Sequence, residues 1–429
     1  MLLQLLRFEV LYQSKQRALP IACLLFFCLG YFLGKSGNAP AMVDFNAPFQ
    51  VSYFTGNMSL MSVFIIMFFA VNGVIRDSKD RMEALIYSTA VQKADFFWSR
   101  FIGVFLFSLF AFSLFLPGFL AGVSFSGLDA TRIAPFQWQT YLWPFFVIML
   151  PNVFICTSVL FSVSLLSKSN VATYAAAILM YLLYFIVGIY SNSPMFASSI
   201  PASAEQMTRA ALADPFAIST FFEHTQFWTP FDKSKLRMSF SGNYVWNRLL
   251  WIGFSFILLG LTYRLFSFRK TTKKKRQKSS QAITQSTVKL YQSAKIRINS
   301  STQWRAFWYS VKMDVFEIIQ SLPFLAVLFT LFAALVFELY VRFFEGGFHG
   351  DNWLPFTNLV IESVIEIIPT LSKILIVFYS GELIWKARDR KFDGILNATP
   401  TLNWVFFLSK MVTLTLLPML LIATLTVHP

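Results

Sequence analysis

The chain has 429 residues, 56% of them hydrophobic and 13% charged, with 51 Phe and a formal net charge of +15. Soluble domains carry about 25% charged residues, so the composition excludes an ordinary soluble enzyme and points to a membrane protein. The basic excess does not signal nucleic acid, because most of it lies in segments that a membrane orientation explains.

Residues 1–17 place Leu2, Leu3, Leu6 and Val10 at helical spacing and include Glu9. They make a poor signal n-region and predict an amphipathic helix on the inner membrane surface. The next apolar run predicts an uncleaved first span, although Asn38-Ala39-Pro40-Ala41 weakly resembles a cleavage site. A crossing needs about 20 apolar residues. That rule predicts about nine spans, at 18–34, 58–75, 97–121, 141–166, 171–190, 244–266, 319–341, 361–380 and 403–427. Backbone groups in lipid must bond within their own segment, so the expected fold is all-α, a polytopic transmembrane helix bundle.

Lys and Arg set the orientation. With the N-terminus in the cytoplasm, inside segments hold 27 of the 36 basic residues. The largest external segment, 191–243, carries Pro194, Pro201, Pro215 and Pro230, mixed charges, and Phe216, Phe221, Phe222, Phe227 and Trp228. Those rings suit either the membrane interface or a periplasmic partner, and the sequence leaves both open. Residues 267–303 form a linker. Between Phe268 and Ser300 they hold ten Lys or Arg and no acid. Such a run cannot bury a core and predicts a disordered cytoplasmic tether attracted to anionic lipid.

After the linker the chain restarts. Residues 304–320 are amphipathic like 1–17, Lys312 with Asp314 echoes Arg7 with Glu9, and Pro20 and Pro323 sit near the start of the following spans. The charged loop Arg76–Arg100, RDSKDRMEALIYSTAVQKADFFWSR, recurs 310 residues later as Lys386–Lys410, KARDRKFDGILNATPTLNWVFFLSK. Without gaps, Ile86 meets Leu396, Thr89 meets Thr399, Phe96-Phe97 meets Phe406-Phe407, and Arg100 meets Lys410. The division is then a surface helix at 1–17, a six-span half at 18–266, the linker, and a partial second half at 304–429.

Candidate chemistry is sparse. Cys23, Cys28 and Cys156 lie in apolar runs, and His224, His349 and His428 form no ligand set, so no metal or cofactor is expected. Gly30–Ser36, GYFLGKS, has three residues between its glycines where a phosphate loop needs four. Glu362, Glu366 and Lys373 share a helical face. Glu366 with Lys373 is either an intramembrane polar site or a structural contact at a wet boundary. The repeated loop mixes both signs densely and carries Met82, Leu85 and Ile86 on one apolar side. A merely solvated loop has no reason to keep that register twice, so paired helices facing a paired partner explain it better.

At this point the chain resembles the permeases of type-two ABC exporters, in particular bacterial ones with two halves in one chain, sometimes fused to an external zinc aminopeptidase. The likeness rests on the surface helix, the six-span half, the segment 191–243, and the loop with its Leu-Ile-Tyr-Ser-Thr-Ala and Gly394–Pro400 stretches. It implies a coupling helix at 76–97 that docks into a cytoplasmic ATPase subunit, two copies serving the two loops. By resemblance, the coupling residues are Asp77, Asp80, Arg81 and Glu83, with Arg388, Asp389, Arg390 and Asp393. The expected function is a transport subunit of the bacterial inner membrane that is not itself an enzyme. The chain lacks HExxH, so no peptidase activity is assigned to it. The likeness also implies three further spans in the second half, making this chain a shortened form or part of a longer one. The alternatives are an ion-coupled secondary transporter and a membrane scaffold that recruits partners.

Overall fold

A computed structural model describes residues 1–190, 204–267, 299–321 and 401–426, except 81, 83, 84, 87 and 126, with isolated positions between 324 and 399. Every regular element among them is helical. In chain order these are α1 (Leu2–Ser14), α2 (Ala18–Lys35), α3 (Pro48–Ser78), α4 (Lys93–Ser124), α5 (Trp138–Ser167), α6 (Asn170–Tyr190), α7 (Ala204–Ala213), α8 (Ile218–Thr225), α9 (Pro230–Lys235), α10 (Asn243–Leu265), α11 (Ser300–Ile319) and α12 (Asn403–Thr426). Five of them, α2 to α5 and α10, are long and apolar enough to cross a membrane. The expected spans 319–341 and 361–380 and most of the basic linker lie outside the described residues.

The second span begins ten residues earlier than apolar content alone predicts, at Pro48, whose fixed φ suits a first helical turn. Its first half is rich in hydroxyls. Thr55, Ser59 and Ser62 are buried and bond back to carbonyls of their own helix at 2.7, 2.9 and 2.6 Å. Once those hydroxyls are satisfied internally, a polar stretch can enter the bundle without an open desolvation cost.

One contact is set by glycine. Gly30 and Gly34 of α2 face Gly118 and Gly122 of α4. A Cβ at Gly30 would overlap the Phe115 carbonyl, and one at Gly118 would overlap the Phe27 carbonyl. The GYFLGKS stretch is therefore half of a small-xxx-small pair that brings two helix backbones together. Elsewhere the first unit is filled by rings. Phe97 and Phe101 meet Phe161 edge-on at 5.2 and 5.4 Å, and Phe26 lies 4.8 Å from Phe112. Much of the chain's Phe content thus packs helix against helix.

The chain divides into two compact units, one containing Met1–Phe266 and the other containing α11 and α12. In the first, α1 packs along α4. In the second, α11 packs along α12 through Phe307, Val311 and Val405. In both units, the amphipathic helix thus lies against the helix that comes after the charged loop.

Candidate functional site

The amphipathic helix α1 buries the opposite face from the one a soluble protein would bury. Glu9 and Gln13 are 1% and 0% exposed, whereas Leu3, Phe8 and Leu11 are 79%, 56% and 52% exposed. The apolar face is left exposed and the polar face turns to the bundle. Glu9 enters because Gly103 of α4 has no side chain: a Cβ there would lie 2.5 Å from the Glu9 Cγ. Gly73 clears the same space for Gln13. Gly73 sits in a π-helical turn, Val71–Ile75, directly before Arg76 and Asp77. Such a turn inserts a residue and rotates the next stretch of helix about its axis.

Four charges meet there. Arg76 Nη2 donates to Glu9 Oε2 at 2.9 Å, and Arg100 Nη1 donates to the same oxygen. Arg100 Nη2 donates to Asp77 Oδ2 at 2.6 Å, and Arg76 Nε donates to Asp77 Oδ1 at 3.2 Å. Gln13 Nε2 donates to the second Glu9 oxygen at 3.0 Å. The Arg76 guanidinium lies 3.7 Å from the Tyr12 ring centroid. Burial pushes the Glu9 carboxyl up to about 7, against the opposing pull of Arg76 and Gln13. Two acids and two bases balance, and they join α1, the end of α3 and the start of α4 at one point.

Asp77 is thus an internal strut at 7% exposure, not a surface contact. Asp80 is exposed, and beside it Met82 and Leu85 stand 45% and 60% exposed, an apolar step next to an acid. Arg81 and Glu83 lie outside the described residues, as do Arg388, Asp389, Arg390, Asp393, Glu366 and Lys373. The two loops share a geometric signature all the same. The Thr89 N–H and Oγ1 donate to the Ile86 carbonyl at 3.1 and 2.6 Å, and those of Thr399 donate to the Leu396 carbonyl at 3.1 and 2.6 Å. These are the positions that the ungapped alignment pairs. Lys410, which that alignment pairs with Arg100, donates to the Leu383 carbonyl at 2.6 Å.

No family model matches the chain, and no curated protein matches it.

A second polar centre joins α3, α5 and α10, and sequence reasoning did not single it out. Arg248 of α10, 2% exposed, donates Nη1 to Asn152 Oδ1 of α5 at 2.7 Å. Asn152 Nδ2 donates to Ser59 Oγ of α3 at 3.0 Å and to the Phe216 carbonyl at 3.1 Å. Phe216 belongs to the turn between α7 and α8, which hooks into the bundle. Asp214 shapes that turn by accepting from the Phe216 and Ser219 N–H groups at 2.8 and 2.7 Å. Ala217 takes a left-handed φ of 56°. Asn247 Nδ2 clamps the Ala211 and Asp214 carbonyls, both at 2.7 Å. Arg248 Nε and Nη2 are buried without hydrogen-bond partners among the described residues. Asn152 and Arg248 were legible as polar residues in apolar runs, but their meeting depends on a turn that no periodicity foretells.

Proposed function

We infer that the chain is the membrane-spanning permease subunit of an ATP-binding cassette exporter, with ATP hydrolysed by a separate cytoplasmic subunit. One observation carries this reading. An exposed acid and apolar step, Asp80 with Met82 and Leu85, follow directly on buried ion pairs at Arg76 and Asp77, and the Thr-capped turn after them occurs twice in the chain. A docking element needs that combination: a surface a partner can grip, and a rigid attachment behind it. A load on the turn passes through Arg76 and Asp77 into α3, through Arg100 into α4, and through Glu9 into α1. Buried charges resist separation because each would be left uncompensated in a low-dielectric setting, so the three helices move together. The position in a bacterial inner membrane and the export direction follow from the family resemblance and belong to the same proposal.

The test is to purify the full chain with candidate ATPase subunits and measure ATP turnover with and without Asp80→Lys. Asp80 is exposed, so stability should stay within about 0.5 kcal/mol while coupled turnover and co-purification fall. If Asp80→Lys leaves both unchanged, or no ATPase associates, the proposal fails. An ion-coupled transporter is the second reading, because a buried acid and a buried base, Asp214 and Arg248, lie near one another in the bundle. Transport that continues without ATP and stops when the ion gradient is dissipated would favour it.

A further inference from the structure

A groove of about 440 Å³ opens on the side of the first unit between α4 and α5, at the end of the bundle away from the Glu9 ion pairs. It is lined by Leu116, Pro117, Leu120, Phe136, Leu142 and Phe145, together with Ser113, Trp138 and Tyr141. Its wall is almost wholly apolar. The only groove-lining hydroxyl on α4, that of Ser113, is turned back to the Phe110 carbonyl at 2.7 Å. From Ser113 to Leu120 the groove follows roughly 10 Å of α4, at about 1.5 Å per residue. That length takes part of an extended hydrocarbon chain, the rest of which would lie along the outer face of the helices. Phe136 and Trp138, 63% and 60% exposed, stand at its mouth, where Trp is favoured at a membrane–water interface.

The mouth carries positive charge. Gln137, between those two rings, accepts a single 3.3 Å bond from Arg237 Nη2, and Arg237 Nε has no hydrogen-bond partner among the described residues. Arg132, five residues before Gln137, spends Nη2 on the Pro40 and Val43 carbonyls, and its Nε likewise has no partner among them. The nearby acid, Asp129, accepts from the Thr131 N–H and hydroxyl at 3.0 and 2.8 Å and stays an anion that offsets Arg132, so the selectivity of the rim falls to Arg237. Tyr141, which lines the groove and is 8% exposed, has a hydroxyl with no partner among the described residues. An ester carbonyl at that level would accept from it.

We propose that this groove binds one anionic phospholipid, its acyl chain along Leu116–Leu120 and Leu142–Phe145 and its phosphate on Arg237. An apolar slot suits any chain, but the Arg237 guanidinium at the rim selects a negative headgroup. The site is separate from the coupling loop and does not depend on the exporter reading.

The test uses the full chain in phosphatidylcholine vesicles doped with phosphatidylglycerol carrying a photoactivatable diazirine on its acyl chain. Labelling should concentrate within residues 113–145 and exceed that from the matching phosphatidylcholine probe. Arg237→Gln should lower phosphatidylglycerol labelling about fivefold, the effect of one basic residue near an anionic surface, and should leave the phosphatidylcholine signal unchanged. Arg237→Lys should retain it. Leu116→Trp, which fills the slot, should abolish labelling by both probes. Labelling spread evenly over the apolar helices, equal labelling by the two probes, or a cross-link from this groove to another protein segment would each overturn the proposal.

Discussion

Replacing Arg100 with Met tests the buried ion pairs directly. The Met side chain retains most of the apolar stem that packs beside Phe96, over whose ring the guanidinium lies at 5.3 Å. The substitution removes the charge that both Glu9 and Asp77 face. Glu9 is then left with Arg76 at 2.9 Å and Asp77 with Arg76 at 3.2 Å, two acids sharing one base. With side-chain exposures of 2% and 10% for the acids, solvent screens little of the imbalance. Removing one partner of a buried pair costs about 3–5 kcal/mol. The decisive comparison is the double variant Arg100→Met with Glu9→Gln, which restores neutrality with one acid and one base and keeps the shape of residue 9. It should be more stable than Arg100→Met alone by about 1–3 kcal/mol, the usual coupling between contacting groups. Unfolding in mixed micelles titrated with denaturing detergent, read through the chain's 11 Trp, measures both differences. Trypsin cleavage at Arg7 and Lys15 reports separately on whether α1 has left the bundle. The reasoning is refuted if Arg100→Met lies within about 0.5 kcal/mol of the natural chain, or if adding Glu9→Gln brings no recovery.

Burial also makes the stability of this joint depend on pH. It holds the Glu9 carboxyl at about 7, above its ordinary 4.5, so the folded state binds this proton more tightly than the unfolded chain does. The stability it contributes is full below pH 4.5 and is lost as pH rises through 7. A detergent-unfolding midpoint measured across that range should fall, and Glu9→Gln should flatten the fall. Gly118→Val places a branched side chain against the Phe27 backbone and should cost about 3 kcal/mol or more, whereas Gly253→Ala, where nothing lies within 4 Å of the added Cβ, should be stabilising or neutral in the same unfolding measurement. Asn152→Ala removes the oxygen that receives Arg248 and frees the Phe216 turn. It should cost about 1.5–3 kcal/mol, the range for a hydrogen bond to a charged group, and should raise proteolysis within 204–225 ahead of global unfolding.

The all-helical membrane character was legible in the residues themselves, because lipid permits an isolated segment only a helix and demands a certain apolar length. The recurrence of one loop pattern was legible too, since Arg76–Arg100 and Lys386–Lys410 carry the same register, and the paired Thr89 and Thr399 turns have the same bond lengths. The start of α3 at Pro48 was not, because hydropathy scores Gln50, Ser52 and Thr55 as polar without knowing that all three are buried and that Thr55 bonds back to its own helix. The spacing of Gly30 and Gly34 was visible, but its meaning waited on Gly118 and Gly122, 84 and more residues downstream, arriving at the same contact.

The same limit separates Asp80 from Asp77. Both are acids in one short charged run, and only packing leaves one exposed and makes the other a buried strut between α3 and α4. Local pattern records which residues can leave water and over what length. It does not record which distant charges will share a site, because that depends on where α1 and α4 come to lie. Glu9 shows this most plainly. By itself it is an acid that spoils a signal sequence, and it becomes part of an ion-paired joint only because Gly103 opens a space and Arg76 and Arg100 converge on it.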